Sequence, residues 1–214
     1  MGEIILVRHG QANSGATDEE SYDKLSDLGH QQARWLGDYI RDRERPFDKV
    51  ISGSLRRHRE TAAGMGHDEP LIDARLNEMD YLNLGKSLQE VHGVPFPGPE
   101  DFAAHVPQVM QAWHQAEIMG NETFASFEAR VTSVLQEAAQ PGVRVLCVTS
   151  GGVIGMIIRH LLDLDPKRMA HILLPIMNTS IHRVHVIPQG PILSGFNAIP
   201  HLDRPDRAHA VTHY

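Results

Sequence analysis

The stretch Ile4-Ile5-Leu6-Val7-Arg8-His9-Gly10 decides the fold class of this chain. Its four apolar residues follow one another without polar alternation, which is typical of a strand buried on both faces of a parallel sheet. In an open α/β sheet, ligands bind beyond the carboxyl ends of such strands. The stretch therefore predicts an α/β fold, and it places Arg8 and His9 where a ligand would lie.

Two later segments repeat this pattern of a strand that runs into a helix. Residues 48–52 predict a short strand, and Ser54 is the expected cap of the arginine-rich helix that follows. Residues 143–149 predict a second buried strand, which turns through Ser150-Gly151-Gly152 into an apolar helix. A helix with one apolar face begins after Ser26, a good N-cap. Together these elements predict a mostly parallel, doubly wound sheet with helices on both faces.

The rest of the chain predicts an insertion in a single domain that covers residues 1–214. Residues 85–99 contain a run of prolines and glycines and predict a loop. Two stripes of large apolar residues, at 102–113 and at 124–135, predict helices. We therefore expect a mostly helical insertion over about 85–140 that lies over the C-terminal edge of the strands.

The end of the chain predicts a hairpin and a tail. Residues 181–187 and 192–196 are apolar segments separated by a Pro-Gln-Gly-Pro turn, which indicates two antiparallel strands. The tail, residues 200–214, is polar and contains proline, so we expect it to be extended or loose.

The composition limits what the protein binds. The chain has 214 residues, with 20 Lys and Arg against 27 Asp and Glu, so its formal net charge is −7. This charge argues against nucleic acid or an anionic membrane as the main partner. The N-terminus lacks the basic segment of a secretory signal, and no apolar run approaches the roughly 18 residues of a membrane span. A cytoplasmic location is expected, and the single cysteine, Cys147, forms no intrachain disulfide.

The polar residues at the three strand ends predict one anion site. Arg8 and His9 follow the first strand, Arg57 lies just after the second, and Ser150 with Gly151 follows the third. Arginine can grip phosphate oxygens in a fork, and the amides that begin a helix attract anions. If the three strands are neighbours, these groups face one pocket.

The motifs at these positions resemble the histidine phosphatase family, also called the phosphoglycerate-mutase-like family. In chain order the similar stretches are Leu6-Val7-Arg8-His9-Gly10-Gln11, residues 25–33, residues 52–62, Leu76-Asn77-Glu78, residues 148–152 and Asn178-Thr179-Ser180. They extend from residue 4 to about residue 186, nearly the whole chain, so a chance match is hard to sustain.

The resemblance implies a mechanism and a set of roles. His9 attacks phosphorus and forms a phosphohistidine, while Glu78 protonates the leaving alcohol and then activates water. The groups that would bind the phosphate are Arg8, Arg57, Ser150, Gly151 and Asn13. No metal and no cofactor is expected, although the 14 histidines of the chain invite a comparison with metal sites.

Ser150 departs from the family pattern, because most members carry a second histidine there. Serine supplies one hydrogen bond but no positive charge, and losing one donor to transition-state charge costs about 10²–10³ in rate. Three interpretations remain open. The serine is tolerated; or another histidine enters the pocket, with His182 and His201 as candidates; or the site has lost most turnover and binds a phosphorylated ligand or partner.

The residues after Glu78 favour hydrolysis over phosphate transfer. The family's sugar-phosphate mutases carry an Arg-His-Tyr-Gly run after the acid, whereas this chain continues Met79-Asp80-Tyr81. A phosphoglycerate-mutase-type phosphotransferase is thus the lesser alternative to a phosphatase. The expected partner is a small phosphorylated substrate, because the insertion offers aromatic side chains but no dense basic patch. The sequence leaves a homodimer open.

Overall fold

A computed structural model describes residues 2–13, 19–98 and 100–213 of the chain. The strands are β1 (Gly2–Arg8), β2 (Lys49–Ser52), β3 (Leu71–Ile72), β4 (Arg144–Thr149), β5 (Ile181–Ile187) and β6 (Gly190–Ala198). The α-helices are α1 (Glu19–Tyr22), α2 (Asp27–Arg43), α3 (Arg56–Gly64), α4 (Tyr81–His92), α5 (Phe102–His114), α6 (Phe124–Ala138), α7 (Gly151–Leu162) and α8 (Pro166–Leu173). Two 3-10 helices cover Ala74–Leu76 and Pro205–Ala210.

The six strands form one sheet in the order β3-β2-β4-β1-β5-β6. β1 to β4 are parallel, and β5 and β6 add an antiparallel hairpin at one edge. Arg8 pairs with Thr149, and Ser52 pairs with Val148. The carboxyl ends of β1, β2 and β4 therefore meet at one edge of the sheet, as the sequence predicts.

Helices cover both faces of the sheet. Successive residues of β1 and β4 point to opposite faces, so each face contacts a different set of helices. Ile5 and Val7 pack in one apolar cluster with residues of α2 and α3. Ile4 and Leu6 point the other way, into a larger cluster that contains apolar residues of α4 to α8. The helical insertion thus supplies part of the layer on that second face. This arrangement confirms the predicted α/β fold, with its mostly parallel sheet and helices on both faces.

The insertion contains one helix more than the sequence predicts. Residues 85–92 belong to α4, so the prediction of a loop over 85–99 is wrong for this part. Gly85 lies inside this helix, and the ring of Phe96 packs where a Cβ at this position would be. The helix ends at Gly93, which adopts φ = 69°, a conformation that glycine reaches without strain. The proline-rich run begins only after this residue.

The helix that carries Arg57 is capped differently from the prediction. Ser54 does not cap α3; its hydroxyl accepts a hydrogen bond from the Asn77 side chain. The carboxylate of Asp23 instead accepts the backbone N–H groups of Arg56 and Arg57 at 2.9 and 3.1 Å. By contrast, Ser26 caps α2 as predicted, since its Oγ accepts the Gly29 N–H at 3.0 Å.

The tail is ordered against the sheet rather than loose. After β6 the chain forms the 3-10 helix Pro205–Ala210, and the buried Gln32 side chain donates to Ala210 O at 2.7 Å. Thr212 bonds Asn178 through both its carbonyl oxygen and its hydroxyl. Backbone and side-chain hydrogen bonds together hold the tail beside the start of β5, and part of it is a 3-10 helix, so the prediction of an extended or loose tail is wrong.

Candidate active site

His9 lies directly beyond the carboxyl end of β1 and is almost fully buried. Its backbone N–H donates to Thr149 O at 2.9 Å, and its carbonyl accepts the Asn178 side-chain amide at 3.2 Å. Its Nδ1 lies 2.7 Å from Gly10 O, which fixes the proton on Nδ1 because a carbonyl only accepts. The lone pair is therefore on Nε2.

Burial keeps the His9 imidazole neutral. Desolvation, the positive charges of Arg57 and Arg8, and the neighbouring His58 ring together hold the pKa of His9 well below its usual range, and the hydrogen bond to Gly10 offsets this only in part. A neutral imidazole with a free lone pair is a nucleophile, whereas an imidazolium is not.

The two arginines of the site are held in different ways. Arg8 donates through Nη1 to the carbonyl oxygens of Ile176 and His213, and its buried Nε has no hydrogen-bond partner in the described part of the chain. Arg57 is only 2 % exposed and forms an ion pair with Asp23 at 3.0 Å. Both cations lower the pKa of His9, so both lie within electrostatic reach of it.

The side chain of Glu78 packs against the first turn of α7, where the backbone follows Ser150. Its Oε2 accepts the Gly152 N–H at 3.1 Å, and its Oε1 accepts the Met79 N–H at 3.0 Å. A Cβ at Gly152 would overlap Glu78 Oε1, so glycine is required for this approach. Arg130 orients the loop before Glu78 by donating to Asn77 O at 2.8 Å.

Gly151 lies beside the guanidinium of Arg8. A Cβ at this position would be 3.7 Å from Arg8 Nε. Helix α7 begins at Gly151, so its first backbone amides and the Arg8 cation are directed at the same region. The structure thus brings Arg8, Gly151 and Glu78 together. His9 follows Arg8 at the end of β1 and lies next to this group.

Ser150 is fully buried, and its hydroxyl contacts a histidine that the sequence analysis missed. Its Oγ lies 2.5 Å from His58 Nε2, and the His58 ring centre is 5.6 Å from that of His9. His58 follows Arg57 on the buried face of α3. The signal in the sequence was a histidine within the same arginine motif that supplies Arg57.

The other two histidines considered at this site have hydrogen-bond partners other than Ser150. His182 pairs its Nε2 with Ser180 Oγ at 2.9 Å, and its Nδ1 accepts from Asn197 N at 3.3 Å. His201 Nε2 lies 2.8 Å from Thr179 Oγ1. Burial lowers the pKa of each ring to about 3. Within the described ranges neither ring hydrogen-bonds Ser150, so the structure gives that contact to His58 instead.

Asn13 is hydrogen-bonded to the end of α1 and to the segment that follows it. Its side-chain amide donates to Ser21 O at 3.0 Å, and its backbone N–H donates to Lys24 O at 3.0 Å. These bonds hold the segment that carries Tyr22, whose ring lies 5.1 Å from the Arg57 guanidinium carbon. A role of Asn13 in binding phosphate stays a prediction.

Metal ligands and membrane-spanning helices are the other features considered from the sequence. In the described residues, no group of three or more His, Cys, Asp or Glu side chains is placed to hold a metal ion. Of the helices in those same ranges, none has the length and apolar character that a membrane crossing requires.

Comparison with solved structures identifies the same fold in several phosphatases. A phosphoserine phosphatase mutant from Entamoeba histolytica, solved with phosphoserine, superposes with a TM-score of 0.69 at 23% identity over 94% of this chain and 100% of that one. A mycobacterial glucosyl-3-phosphoglycerate phosphatase gives a TM-score of 0.63 at 24% identity over 92% of this chain and 98% of that one. At these identities the likeness establishes the fold alone.

Comparison with curated sequences finds relatives that are phosphatases by name. A mitochondrial serine/threonine-protein phosphatase Pgam5 of Drosophila willistoni is 26% identical over 93% of this chain. The chain spans 65% of the length of that relative. An adenosylcobalamin/α-ribazole phosphatase of Salmonella typhi is 28% identical over 78% of this chain and 83% of its own length. A broad-specificity phosphatase of Saccharomyces cerevisiae is 28% identical over 74% of this chain and 69% of its own length.

The family model described as "Histidine phosphatase superfamily (branch 1)" matches residues 4–199. This match includes every strand and α-helix of the fold except the first two residues of β1. The chain belongs to the histidine phosphatase superfamily.

Proposed function

We propose that this protein hydrolyses small phosphate monoesters through a phosphohistidine on His9, without a metal or other cofactor. The observation that carries the proposal is a buried, neutral His9 with its lone pair on Nε2, next to two arginines. A neutral nucleophile among fixed positive charges is suited to attack on a phosphate dianion.

The first half of the reaction transfers the phosphoryl group to the protein. The bond from phosphorus to the ester oxygen breaks as the bond from phosphorus to His9 Nε2 forms. Arg8 and Arg57 stabilise the negative charge on the phosphoryl oxygens, and the amides of α7 add a partial positive charge. The protonated carboxyl of Glu78 gives its proton to the departing alcohol oxygen.

The second half regenerates the enzyme. Glu78, now a carboxylate, takes a proton from a water molecule as that water attacks phosphorus. The bond between phosphorus and Nε2 breaks, and inorganic phosphate leaves. Both halves use the same carboxyl group, so Glu78 ends the cycle protonated as it began.

The relatives support phosphatase activity, and the name of the Salmonella relative supports a small substrate. The names of the Salmonella and yeast relatives describe an α-ribazole phosphatase and a broad-specificity phosphatase. The Drosophila relatives are named as protein phosphatases of mitochondria. For this chain we infer a small ester and a cytoplasmic location; phosphopeptides are the comparison substrate in the experiment below.

The direct experiment measures hydrolysis of an aryl phosphate, an alkyl phosphate and a phosphoserine peptide. We expect turnover of the small esters by the wild type and none by His9→Ala. His171→Ala, an exposed histidine on α8, is the matched control and should keep wild-type activity. If the wild type and His9→Ala are equally inactive while inorganic phosphate still binds, the protein is a phosphate-binding member of the family rather than a phosphatase.

The covalent step is tested by trapping. Wild type quenched during turnover of a ³²P-labelled ester should carry label that is stable in base and lost in acid, as expected for phosphohistidine. Glu78→Gln should accumulate more label with the aryl ester, because a good leaving group needs little acid while hydrolysis of the intermediate still needs the base. Turnover without any trapped label would contradict the phosphohistidine step.

A further inference from the structure

His58 and Ser150 come together although 92 residues separate them in the chain. β2 and β4 are adjacent strands, with Ser52 opposite Val148. Helix α3 follows the first strand after a short turn, and Ser150 directly follows the second. The contact is therefore built by the same sheet edge that assembles His9, Arg8 and Arg57.

The Ser150 hydroxyl is not used to cap its own helix. Ser150 is the N-cap of α7, yet its side chain makes no capping hydrogen bond. Its Oγ lies instead 2.5 Å from His58 Nε2, and both side chains are fully buried. A capping serine ordinarily bonds the backbone of its own helix, so the hydroxyl here is turned toward another partner.

The surroundings of His58 decide where its proton lies. Burial and the neighbouring Arg57 hold the pKa of His58 well below its usual range, so the ring is neutral with one N–H. In the described part of the chain its buried Nδ1 has no hydrogen-bond partner. An orphaned buried N–H is rarer than an orphaned acceptor, which places the proton on Nε2. Nε2–H then donates to Ser150 Oγ.

A hydroxyl that accepts from His58 has its own proton free to donate onward. The groups near it are those of the phosphate site, since the His58 and His9 rings are 5.6 Å apart and Gly151 adjoins Arg8. A phosphoryl oxygen only accepts hydrogen bonds. The direction His58 to Ser150 to phosphate therefore presents a donor, whereas the reverse direction would present lone pairs to an anion.

We propose that His58 is a positioning residue that orients the Ser150 hydroxyl as a hydrogen-bond donor to the phosphoryl group, so that the pair performs the task of the family's second histidine. This inference deepens the proposed function and rests on it for the reaction. It assigns no proton transfer to either residue. His58 acts only through Ser150, and Ser150 is the group that touches the substrate.

The pairing makes a prediction that two independent residues would not. Ser150→Ala should lower kcat/KM for the aryl phosphate by about 10²-fold, the usual effect of losing one donor to transition-state charge. His58→Phe keeps the ring but removes its nitrogens, and it should lower kcat/KM in the wild type yet cause little further loss in the Ser150→Ala background. Equal losses in both backgrounds, or no loss on His58→Phe alone, would overturn the proposal.

Two further variants separate positioning from a merely structural role. His58→Gln can return an amide N–H near the place of Nε2 and should recover most of the activity that His58→Phe loses. The exchange His58→Ala with Ser150→His should be more active than Ser150→His alone, because the single variant forces two imidazoles into one space. If His58→Phe does not fold, the exchange decides: a double variant no better than Ser150→His contradicts the pairing.

Binding of inorganic phosphate, measured by calorimetry on the same variants, separates this inference from the proposed function. Non-additive losses of phosphate affinity without any ester hydrolysis would retain the pair and remove the phosphatase. Hydrolysis with additive losses at positions 58 and 150 would retain the phosphatase and remove the pair.

Discussion

Arginines lie at both ends of the central sheet, but their charges meet different partners. At the amino end, Arg144 is 5 % exposed and meets the carboxylates of Glu3 and Glu44 at 2.7 and 2.9 Å. At the carboxyl end, the half-buried Arg8 donates through Nη1 to backbone carbonyls, and its Nε has no hydrogen-bond partner in the described residues. The charge of Glu78 acts on Arg8, but within those residues no carboxylate forms an ion pair with it. A buried charge is costly unless an opposite charge compensates it. The charge of Arg144 at the amino end is balanced by carboxylates of the protein, whereas the charge of Arg8 at the carboxyl end is suited to bind an anionic ligand.

Arg57 is intermediate between these two cases. It belongs to the carboxyl end, yet it has a carboxylate partner in Asp23, which also caps α3. Among the described residues, Asp23 pairs with Arg57 and Glu78 acts on Arg8, yet both arginines still lower the pKa of His9. This explains how a chain with a net charge of −7 can present a phosphate site.

The largest effect should come from Arg8→Gln. Because no carboxylate of the described residues forms an ion pair with Arg8, its charge serves the ligand, and removing it should lower kcat/KM on the order of 10³-fold. Stability without ligand should be unchanged or higher, since the variant loses a half-buried cation that forms no ion pair within the described residues. Inorganic phosphate should raise the Tm of the wild type and not that of Arg8→Gln. A strong loss of stability without phosphate would show that Arg8 is structural like Arg144.

The converse variant, Arg144→Met, should affect stability and not chemistry. It leaves the half-buried Glu3 and Glu44 with Arg183 as their remaining cation, so unfolding free energy should fall by no more than the ~3–5 kcal/mol that breaking a buried pair costs. Denaturant unfolding should show a lower midpoint with an unchanged slope. Activity per folded molecule should equal that of the wild type. Arg41→Met, whose ion pair with Asp38 is exposed, is the control and should cost less than about 1 kcal/mol.

The fall in unfolding free energy at acid pH should depend on the ion pairs at the amino end of the sheet. Burial raises the pKa of Glu3, but the hydrogen bonds and charges of Arg144 and Arg183 outweigh it, and the net pKa lies below the ordinary 4.5. A lowered pKa stabilises the fold above the ordinary value, and this contribution is lost as the pH falls below about 4.5. Glu3→Gln should therefore flatten the fall in unfolding free energy between about pH 5 and 3.

Glu90→Gln is the control for that titration, because Glu90 is exposed on α4. Its unfolding free energy should run parallel to the wild-type curve over the same pH range. A Glu3→Gln curve that also runs parallel to the wild type would show that Glu3 does not contribute to acid sensitivity.

The features of the fold and the site that depend on local sequence pattern were predictable from the sequence. Apolar runs such as residues 4–7 identify buried strands, and the topology of parallel strands then collects their polar ends at one edge. Arg8, His9 and Glu78 follow from that logic together with the family motifs. Ser26 was predictable as a cap because its effect extends over only three residues.

The parts that failed depend on contacts between distant segments. Gly85 discourages a helix locally, yet it lies inside α4, where the Phe96 ring from a later segment packs against it and leaves no room for a Cβ. The contact of His58 with Ser150 requires the register of β2 against β4, which no local pattern contains. The capping of α3 by Asp23 and the docking of the tail on Gln32 are likewise long-range hydrogen bonds. Helix α8 is different, since Asp165 followed by Pro166 is a local start signal that was overlooked.

The smallest effect concerns the tail, which supplies one of the carbonyls that hold Arg8. The Thr212 hydroxyl accepts from Gln32 at 2.9 Å and donates to Asn178 at 2.8 Å. Thr212→Val keeps the shape and removes both bonds, so unfolding free energy should fall by about 1–2 kcal/mol. Thr132→Val is the matched control, because that hydroxyl only bonds carbonyls of its own helix, and it should cost less than about 0.5 kcal/mol.

Activity distinguishes a tail that only stabilises the fold from one that also orients Arg8. Thr212 precedes His213, whose carbonyl accepts from Arg8 Nη1. Loosening this anchor should raise KM for the aryl phosphate several-fold while leaving kcat within about twofold, because the guanidinium keeps its charge and loses only part of its preset direction. An unchanged KM together with the expected loss of stability would assign the tail to the fold alone. Arg8 would then be positioned by Ile176 and the sheet edge without help from the end of the chain.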